Sequence, residues 1–392
     1  MITVDDALAR VFALCAPLSH ERVPLADAAG RVMVAPAEAG RDQPPFSASA
    51  MDGYAIAGPA GAGTRLQVIG EAGAGRAFAG RVGSGEALRI FTGAPLPEGA
   101  DRVVIQEDVS RDGETITLNE SAEQPRHVRP LGADFRAGDR LSAPRRLRPV
   151  DLALLAAMNV SELTVSRRPD VAIIATGDEL VMPGETPRPD QIIASNGFAL
   201  KAMAEAEGAT ARLLPIARDR ADHLRAVLEM ARGADVIVTI GGASVGDHDL
   251  VAPVTAELGA SRAFYKLAMR PGKPLMAGRL FDALMLGLPG NPVSAIVTAT
   301  LFLLPALRAM QGLGAWPTPT KGATLAEDLP ANGPRAHYMR ARLEPEGQIR
   351  PFASQDSALL GILTQADALL IRPVNDPPRH AGSQIRYIPF GA

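Results

Sequence analysis

The feature that most constrains this chain is a run, from Asp170 to about residue 312, in which continuous apolar segments alternate with helical ones. Residues 171–175, 211–216, 236–240 and 284–288 read as strands. Helices are expected to open at Asn196, over 220–232, after Asp249 and after Asn291, where Pro292 suits a first helical turn. A strand that is apolar at every position is buried on both faces, and helical crossovers supply the cover. Residues 168–312 are therefore expected to form a three-layer α/β domain around a mostly parallel sheet.

Outside that run the texture differs. Residues 3–16 place Val4, Leu8, Val11, Phe12 and Leu14 close to one face of a helix. Between residue 49 and about 126, segments 66–69, 87–91, 102–109 and 115–118 predict strands, with Asp112-Gly113 as a hairpin signal between the last two. Residues 127–148 are basic and rich in Gly and Pro, and 150–158 return to helix. A Pro/Thr linker from Trp316 to Lys321 precedes a segment of short strands. At 392 residues the chain exceeds one ordinary core. The expected architecture is multidomain α/β plus β: a central α/β domain, a β-rich domain before it and a C-terminal β domain.

Composition narrows the function classes. A net charge of -3 leaves no footprint for nucleic acid or an anionic membrane. The one cysteine, Cys15, excludes an intrachain disulfide, and six scattered histidines show no zinc spacing. Residues 1–10 carry two Asp and no basic n-region, unlike a signal peptide. The most apolar stretch, 295–307, is broken by Thr298, Thr300 and Pro305 and reads as a buried helix rather than a membrane span. A cytoplasmic protein with no membrane and no nucleic-acid partner is expected.

In an open parallel sheet, ligands bind beyond the carboxyl ends of the strands. Three loops stand there: Thr176-Gly177-Asp178-Glu179-Leu180, Gly241-Gly242-Ala243-Ser244-Val245-Gly246-Asp247 and Pro289-Gly290-Asn291-Pro292. Glycines let backbone approach a ligand closely, and amides at the following helix starts favour an anion. One such loop alone is ordinarily a tight turn. Three at one sheet edge point to a binding site lined by Thr176, Gly177, Gly241, Gly242, Ser244, Gly246, Pro289 and Asn291. No Gly-Lys-Ser/Thr follows and the dinucleotide spacing is missing, so two common phosphate motifs are excluded.

Lysine is scarce, with four among 40 basic residues, and two of the four lie in Lys266-Leu267-Ala268-Met269-Arg270-Pro271-Gly272-Lys273-Pro274. Lys266, Arg270 and Lys273 around a Pro-Gly turn suit an oxyanion clamp; a solvated hairpin turn is the plainer alternative. Asp52 is a lone acid among small residues in Ser49-Ala50-Met51-Asp52-Gly53-Tyr54-Ala55, although an Asp-Gly before a strand is usually a turn. Thr92 is a hydrogen-bond donor in the loop Phe91-Thr92-Gly93-Ala94-Pro95-Leu96-Pro97-Glu98-Gly99-Ala100-Asp101.

These six segments, in this order, resemble the molybdopterin molybdenumtransferase family, which includes the bacterial MoeA protein and the gephyrin E domain. The resemblance spans essentially the whole chain and ends its best-matched motifs with Leu288-Pro289-Gly290-Asn291-Pro292-Val293-Ser294. It implies a discontinuous first domain (18–45 and 128–167), an inserted β-rich domain (46–127), an α/β molybdopterin-binding domain (1–17 and 168–315) and a C-terminal β domain (316–392). It also implies a homodimer with the site between subunits. Carried over residue by residue, the family's functional groups fall on Asp52, Thr92, Asp134, Glu179, Asp219, Asp249, Lys266 and Lys273. Arg270 stands where many relatives have lysine, keeping the charge but changing its shape. The family's terminal serine motif is only weakly matched by Ser354-Gln355-Asp356-Ser357.

The activity implied is exchange of the nucleotide of adenylylated molybdopterin for molybdate, releasing AMP. Such a chain would meet the pterin adenylyltransferase and the acceptor molybdoenzymes as partners. Acids beside so many anions call for a cation, and Mg2+ suits a few carboxylates plus phosphate oxygens, with Glu179, Asp219 and Asp249 as its expected ligands. Two rival readings fit less of the sequence. A nucleotide-processing enzyme of related α/β fold explains the Gly-rich loops but not the Asp52 segment or the flanking β domains. A non-catalytic scaffold leaves the retained charged residues unexplained.

Overall fold

The computed structural model describes residues 1–122, 126–242 and 250–390. The chain forms two compact units: Met1–Glu21 with Gly30–Val32 and Ser166–Ala392, and Arg22–Ala29 with Met33–Val165. The first unit opens with helix α1 (Val4–Leu14), whose N-cap Thr3 hydroxyl accepts the Asp6 N–H at 3.1 Å. Ala7, Leu8 and Val11 form its buried stripe.

The second unit contains β1 (Gly53–Ile56), β2 (Arg65–Ala72), β3 (Glu86–Ile90), β4 (Arg102–Ile105), β5 (Val109–Asp112) and β6 (Thr115–Leu118). They make one sheet in the order β4-β1-β3-β2-β6-β5. Tyr54, Leu66 and Ile116 pack in one cluster, and Ala55, Leu88 and Val103 in another. The strand expected over 102–109 ends at Ile105, because residues Gln106–Asp108 turn in a 3-10 helix. The hairpin at Gly113 forms, with Thr115 opposite Asp112. Helix α2 (Pro149–Ala157) starts where buried Asp151 accepts the Arg148 N–H at 2.9 Å, with Arg145 and Arg148 as ionic partners.

The first unit resumes with β7 (Asp170–Ala175), α3 (Asn196–Ala206), β8 (Thr210–Leu213), α4 (Ala221–Glu229), β9 (Val236–Ile240) and α5 (Val251–Glu257). It continues through β10 (Ser261–Tyr265), β11 (Met269–Arg270), β12 (Met276–Leu280) and β13 (Ala283–Leu288). The sheet order is β8-β7-β9-β13-β12-β10. Its first four strands are parallel, and β12 and β10 extend the edge antiparallel. Leu200 of α3 and Val11 of α1 cover one face, while Leu224 of α4 and Val254 of α5 cover the other. This is the expected three-layer, mostly parallel core. The expected strand 211–216 stops at Leu213, just before Pro215, which has no N–H to give a ladder.

The apolar stretch lies, as expected, in a buried helix, which runs on from Pro292 to Met310. Residues Ala299–Leu303 adopt π geometry just ahead of Pro305, a register in which a missing amide is tolerated. Thr298 and Thr300 donate their hydroxyls to Ser294 O and Ile296 O at 2.7 and 2.9 Å, so neither is stranded in the apolar interior. By length and composition this helix would pass as a membrane span, but 83% of its most apolar window is buried within the protein.

The chain ends in a small barrel of β14 (Lys321–Leu325), β15 (Ala336–Glu344), β16 (Gln348–Pro351), β17 (Ala368–Arg372) and β18 (Gln384–Pro389). Order β15-β16-β14-β18-β17 closes through a β15–β17 pairing. Strand β11 adds to the barrel parallel to β15, setting Arg270 beside His337.

Candidate functional site

The carboxyl ends of β7, β9 and β13 come together as the parallel order requires. Gly241 has φ +92° and its amide donates to Leu288 O at 3.0 Å. A Cβ there would lie 2.9 Å from Thr176 Oγ1, so only glycine lets the first two loops touch. Gly290 approaches Gly241 from the third loop, and its carbonyl accepts from Asn196 Nδ2 at 2.7 Å. Thr176, Gly177, Gly241, Gly242, Pro289 and Asn291 thus lie on or beside this edge. Ser244, Gly246 and Asp249 lie outside the described residues.

Beside Thr176, the Asp178 and Asp219 carboxylates each accept the other residue's backbone N–H, at 3.2 and 3.3 Å. Gly177 (φ +144°) sits under Glu179, whose Oε2 would be 2.2 Å from a Cβ at 177. Among the described residues no arginine or lysine is ion-paired with Asp178, Glu179 or Asp219, and no three His, Cys, Asp or Glu side chains form a ready metal cage. Their oxygen donors are of the type that Mg2+ prefers, but these acids are not gathered into a group that would hold a metal by itself.

The segment 266–274 joins antiparallel strands β10 and β12, and so it is a hairpin connection; it is also the wall of a cavity. That cavity, of about 360 Å³, is lined by Arg270, Lys273, Arg335, Asn291, Ser294 and Ser357, among others. Asn291 Nδ2 donates to Ser357 Oγ at 3.0 Å, and Ser357 O accepts the Val293 N–H at 3.1 Å at the start of the long helix. A helix N-terminus adds positive potential to that wall. Lys266 is not among the lining residues; its ammonium lies 5.3 Å from the centre of the Tyr265 ring. Buried Arg340 shapes the far side by donating to Asp356 O at 2.8 Å.

In the second unit, Asp52 Oδ1 accepts both the Thr92 N–H at 2.8 Å and the Thr92 hydroxyl at 2.7 Å. These donors, with a smaller push from Arg89, hold the Asp52 carboxyl below the usual carboxylate range. Arg89 lies over the rings of Tyr54 and Phe91, at 5.2 and 4.6 Å, and donates to Gly53 O at 3.2 Å, bracing the loop from behind. Asp134 is exposed, and its N–H donates to Gln43 O at 2.9 Å.

Residues 2–159 match the MoeA N-terminal region (domain I and II), 172–309 a probable molybdopterin-binding domain, and 322–390 the MoeA C-terminal region (domain IV). The molybdopterin molybdenumtransferase of Nostoc sp. is 33% identical over 405 residues, covering 98% of this chain and 93% of that protein. The chain belongs to the molybdopterin molybdenumtransferase family. The family's Haemophilus influenzae protein is likewise 33% identical, covering 100% of this chain and 99% of its own. Two solved structures of a molybdopterin biosynthesis MoeA protein from Pyrococcus horikoshii match the whole chain, at 31% identity with TM-score 0.81 and at 26% with 0.84.

Against that family pattern, sequence reasoning passed over three residues that the fold brings to the site. Asp178 stands next to the acid that was chosen, and the loop's turn is what faces it to Asp219. Arg335 belongs to no motif and reaches the cavity through the β11–β15 pairing. Ser357 sits in the weakly matched terminal motif, and its bond with Asn291 is the sign of its place.

Proposed function

We propose that this chain is a molybdopterin molybdenumtransferase: it takes adenylylated molybdopterin and molybdate and yields the molybdenum-bound cofactor with release of AMP. Within this family, the observation that carries the reading is the cavity where Arg270, Lys273 and Arg335 converge with no ion-pair partner among the described residues. Three such cations, a helix N-terminus and the Ser357 and Asn291 side chains form a receptor for a tetrahedral oxyanion. Molybdate is its occupant in this reading.

The metal is taken by the pterin's dithiolate and not by the protein. Thiolate sulfur is a soft donor, whereas Cys15 is unsuited because burial pushes its thiol up to about 12. The Thr176, Gly241 and Asn291 edge lies where a parallel sheet receives phosphate. Glu179, Asp219 and Asp249 are the acids proposed to meet Mg2+ there, which would draw its other ligands from substrate phosphate and water. Arg270 and Lys273 keep the oxyanion from drifting, and Lys266 adds positive potential nearby. Asp52, kept anionic by Thr92, orients the pterin or the oxyanion; Asp134 contributes a second acid.

The proposal includes a cytoplasmic homodimer with the four-domain division given by the family resemblance. Exposed Met182, Ile192 and Ile193 beside the acidic loop support a second copy as cover. The test is a single-turnover reaction of purified protein with adenylylated molybdopterin, molybdate and Mg2+, following AMP. Molybdate-dependent AMP release is expected. Tight nucleotide binding with no release would overturn the transferase reading in favour of a scaffold.

A further inference from the structure

Three strand ends meet beside Asp52. The acid stands at the entry to β1, Thr92 follows the exit of β3, and Gln106 follows the exit of β4. Strands β3 and β4 flank β1 in the sheet. Arg89 reaches all three ends. It lies opposite Tyr54 in the β1–β3 register, and its guanidinium sits over the Tyr54 and Phe91 rings. Nη1 donates to Gly53 O at 3.2 Å and Nη2 to Gln106 Oε1 at 2.7 Å. Gln106 is itself set: its Nε2 donates to Glu107 Oε1 at 3.1 Å, and its N–H donates to Asp52 O, also at 3.1 Å. Asp52 O and Gly53 O, the carbonyls on either side of the Asp-Gly peptide's exit, are thereby tied to the Arg89–Gln106 pair.

Other arginines of the same unit take carboxylates: Arg76 pairs with Glu71 and Arg81 with Glu98. Arg89 pairs with none among the described residues, although its field acts on Asp52. A direct salt bridge would occupy the acid. Aromatic faces and a carbonyl hold the guanidinium instead. Asp52 Oδ1 keeps the two Thr92 donors, and Oδ2 is left without a partner among the described residues.

We propose that Arg89 is a positioning residue, which aims the open oxygen of Asp52 at the substrate by holding the ends of β1, β3 and β4 together. The proposal rests on the part given to Asp52 in the function proposed above. A lysine does not replace it, because one ammonium lacks the planar fork that serves Gly53 O and Gln106 at once.

The test uses full-length protein and two measurements. The first needs no substrate. In Arg89→Met, hydrogen exchange at the Thr92 and Gln106 amides, both bonded to Asp52, should quicken about tenfold, the scale of one hydrogen bond. Amides of Thr115–Leu118 in the same sheet should keep their wild-type rates. Unchanged exchange at Thr92 and Gln106 overturns the proposal, and so does acceleration throughout the sheet. The second measurement is AMP release. Arg89→Met should slow it about tenfold to a hundredfold, the usual cost of a misplaced group. In an Asp52→Asn background the same change should cost roughly twofold or less, because a residue that acts through Asp52 has nothing left to act through. Equal losses in the two backgrounds overturn the proposal. Should Arg89→Met fail to fold, Arg89→Lys takes its place under the same readings, since it keeps the charge but not the fork. Wild-type protein that releases no AMP removes the proposed function, and the exchange measurement then decides on Arg89 alone.

Discussion

His337 gives the sharpest stability prediction. It lies on β15 between two arginines, with Arg270 paired to it across β11 and Arg372 across β17. Its side chain is 8% exposed. Burial chiefly, then the fields of Arg270, Arg340, Arg372 and Arg335, lower its pKa from 6.5 to about 4. An unfolded chain takes up this proton below about pH 6.5, and the folded chain only below about 4. Between those values the unfolded state binds more protons, so stability is intact at neutral pH and falls as pH drops. The full window is worth about 3 kcal/mol, of which about 2 kcal/mol is lost by pH 5. His337→Gln removes the titration and should flatten the pH 7.5 to pH 5 fall by that amount. Urea unfolding measures it, with hydrogen exchange on Ala336–Glu344 reporting the barrel itself. Equal pH slopes in the two proteins would refute the reasoning. Carboxylates held low, such as Asp101 at about 2, lose their contribution only below this window and do not confound it. An oxyanion beside Arg270 and Arg335 weakens their push, so His337 should titrate higher with molybdate bound, visible by NMR.

Three further outcomes are expected. Gly241→Ala, forced to φ +92° with its Cβ 2.9 Å from Thr176 Oγ1, should cost about 2 kcal/mol or more in unfolding free energy and open the sheet edge. Thr92→Val leaves Asp52 only the backbone donor at 2.8 Å; its pKa should rise toward the ordinary carboxylate value, moving the acid limb of the activity profile to higher pH. Arg335→Ala should raise the molybdate concentration for half-maximal AMP release by about tenfold to a hundredfold, the worth of one charge-assisted bond; an unchanged requirement would remove Arg335 from the oxyanion receptor.

The parallel core was legible because 171–175, 236–240 and 284–288 are apolar at nearly every position, a pattern that only two-sided burial explains. The antiparallel edge was not. Ser261–Tyr265 carries Arg262 and a register shift before Phe264, and Met276–Leu280 carries Gly278 and Arg279, so neither shows a clean period. The buried helix over 295–307 was legible too, but not the π turn ahead of Pro305, because sequence shows the missing amide and not the register that absorbs it. At the site, glycine loops and scarce lysines announced themselves locally. Arg335 and Ser357 did not, because strand pairing and helix docking across many residues bring them in. Lys266 shows the opposite limit: a motif marks it, and the hairpin's path carries it past the cavity.

The two-residue strand Met269–Arg270 has a consequence in time. It is hydrogen-bonded to a barrel whose last strand, Gln384–Pro389, lies at the far end of the described chain. A nascent chain emerging from the ribosome has its acids and glycine loops in hand well before that strand appears. The wall carrying Arg270 is fastened to Arg335 only when the barrel is made. The Arg270 wall of the oxyanion receptor is thus completed later than the acids and glycine loops, once Ala336–Glu344 has been made and paired with it.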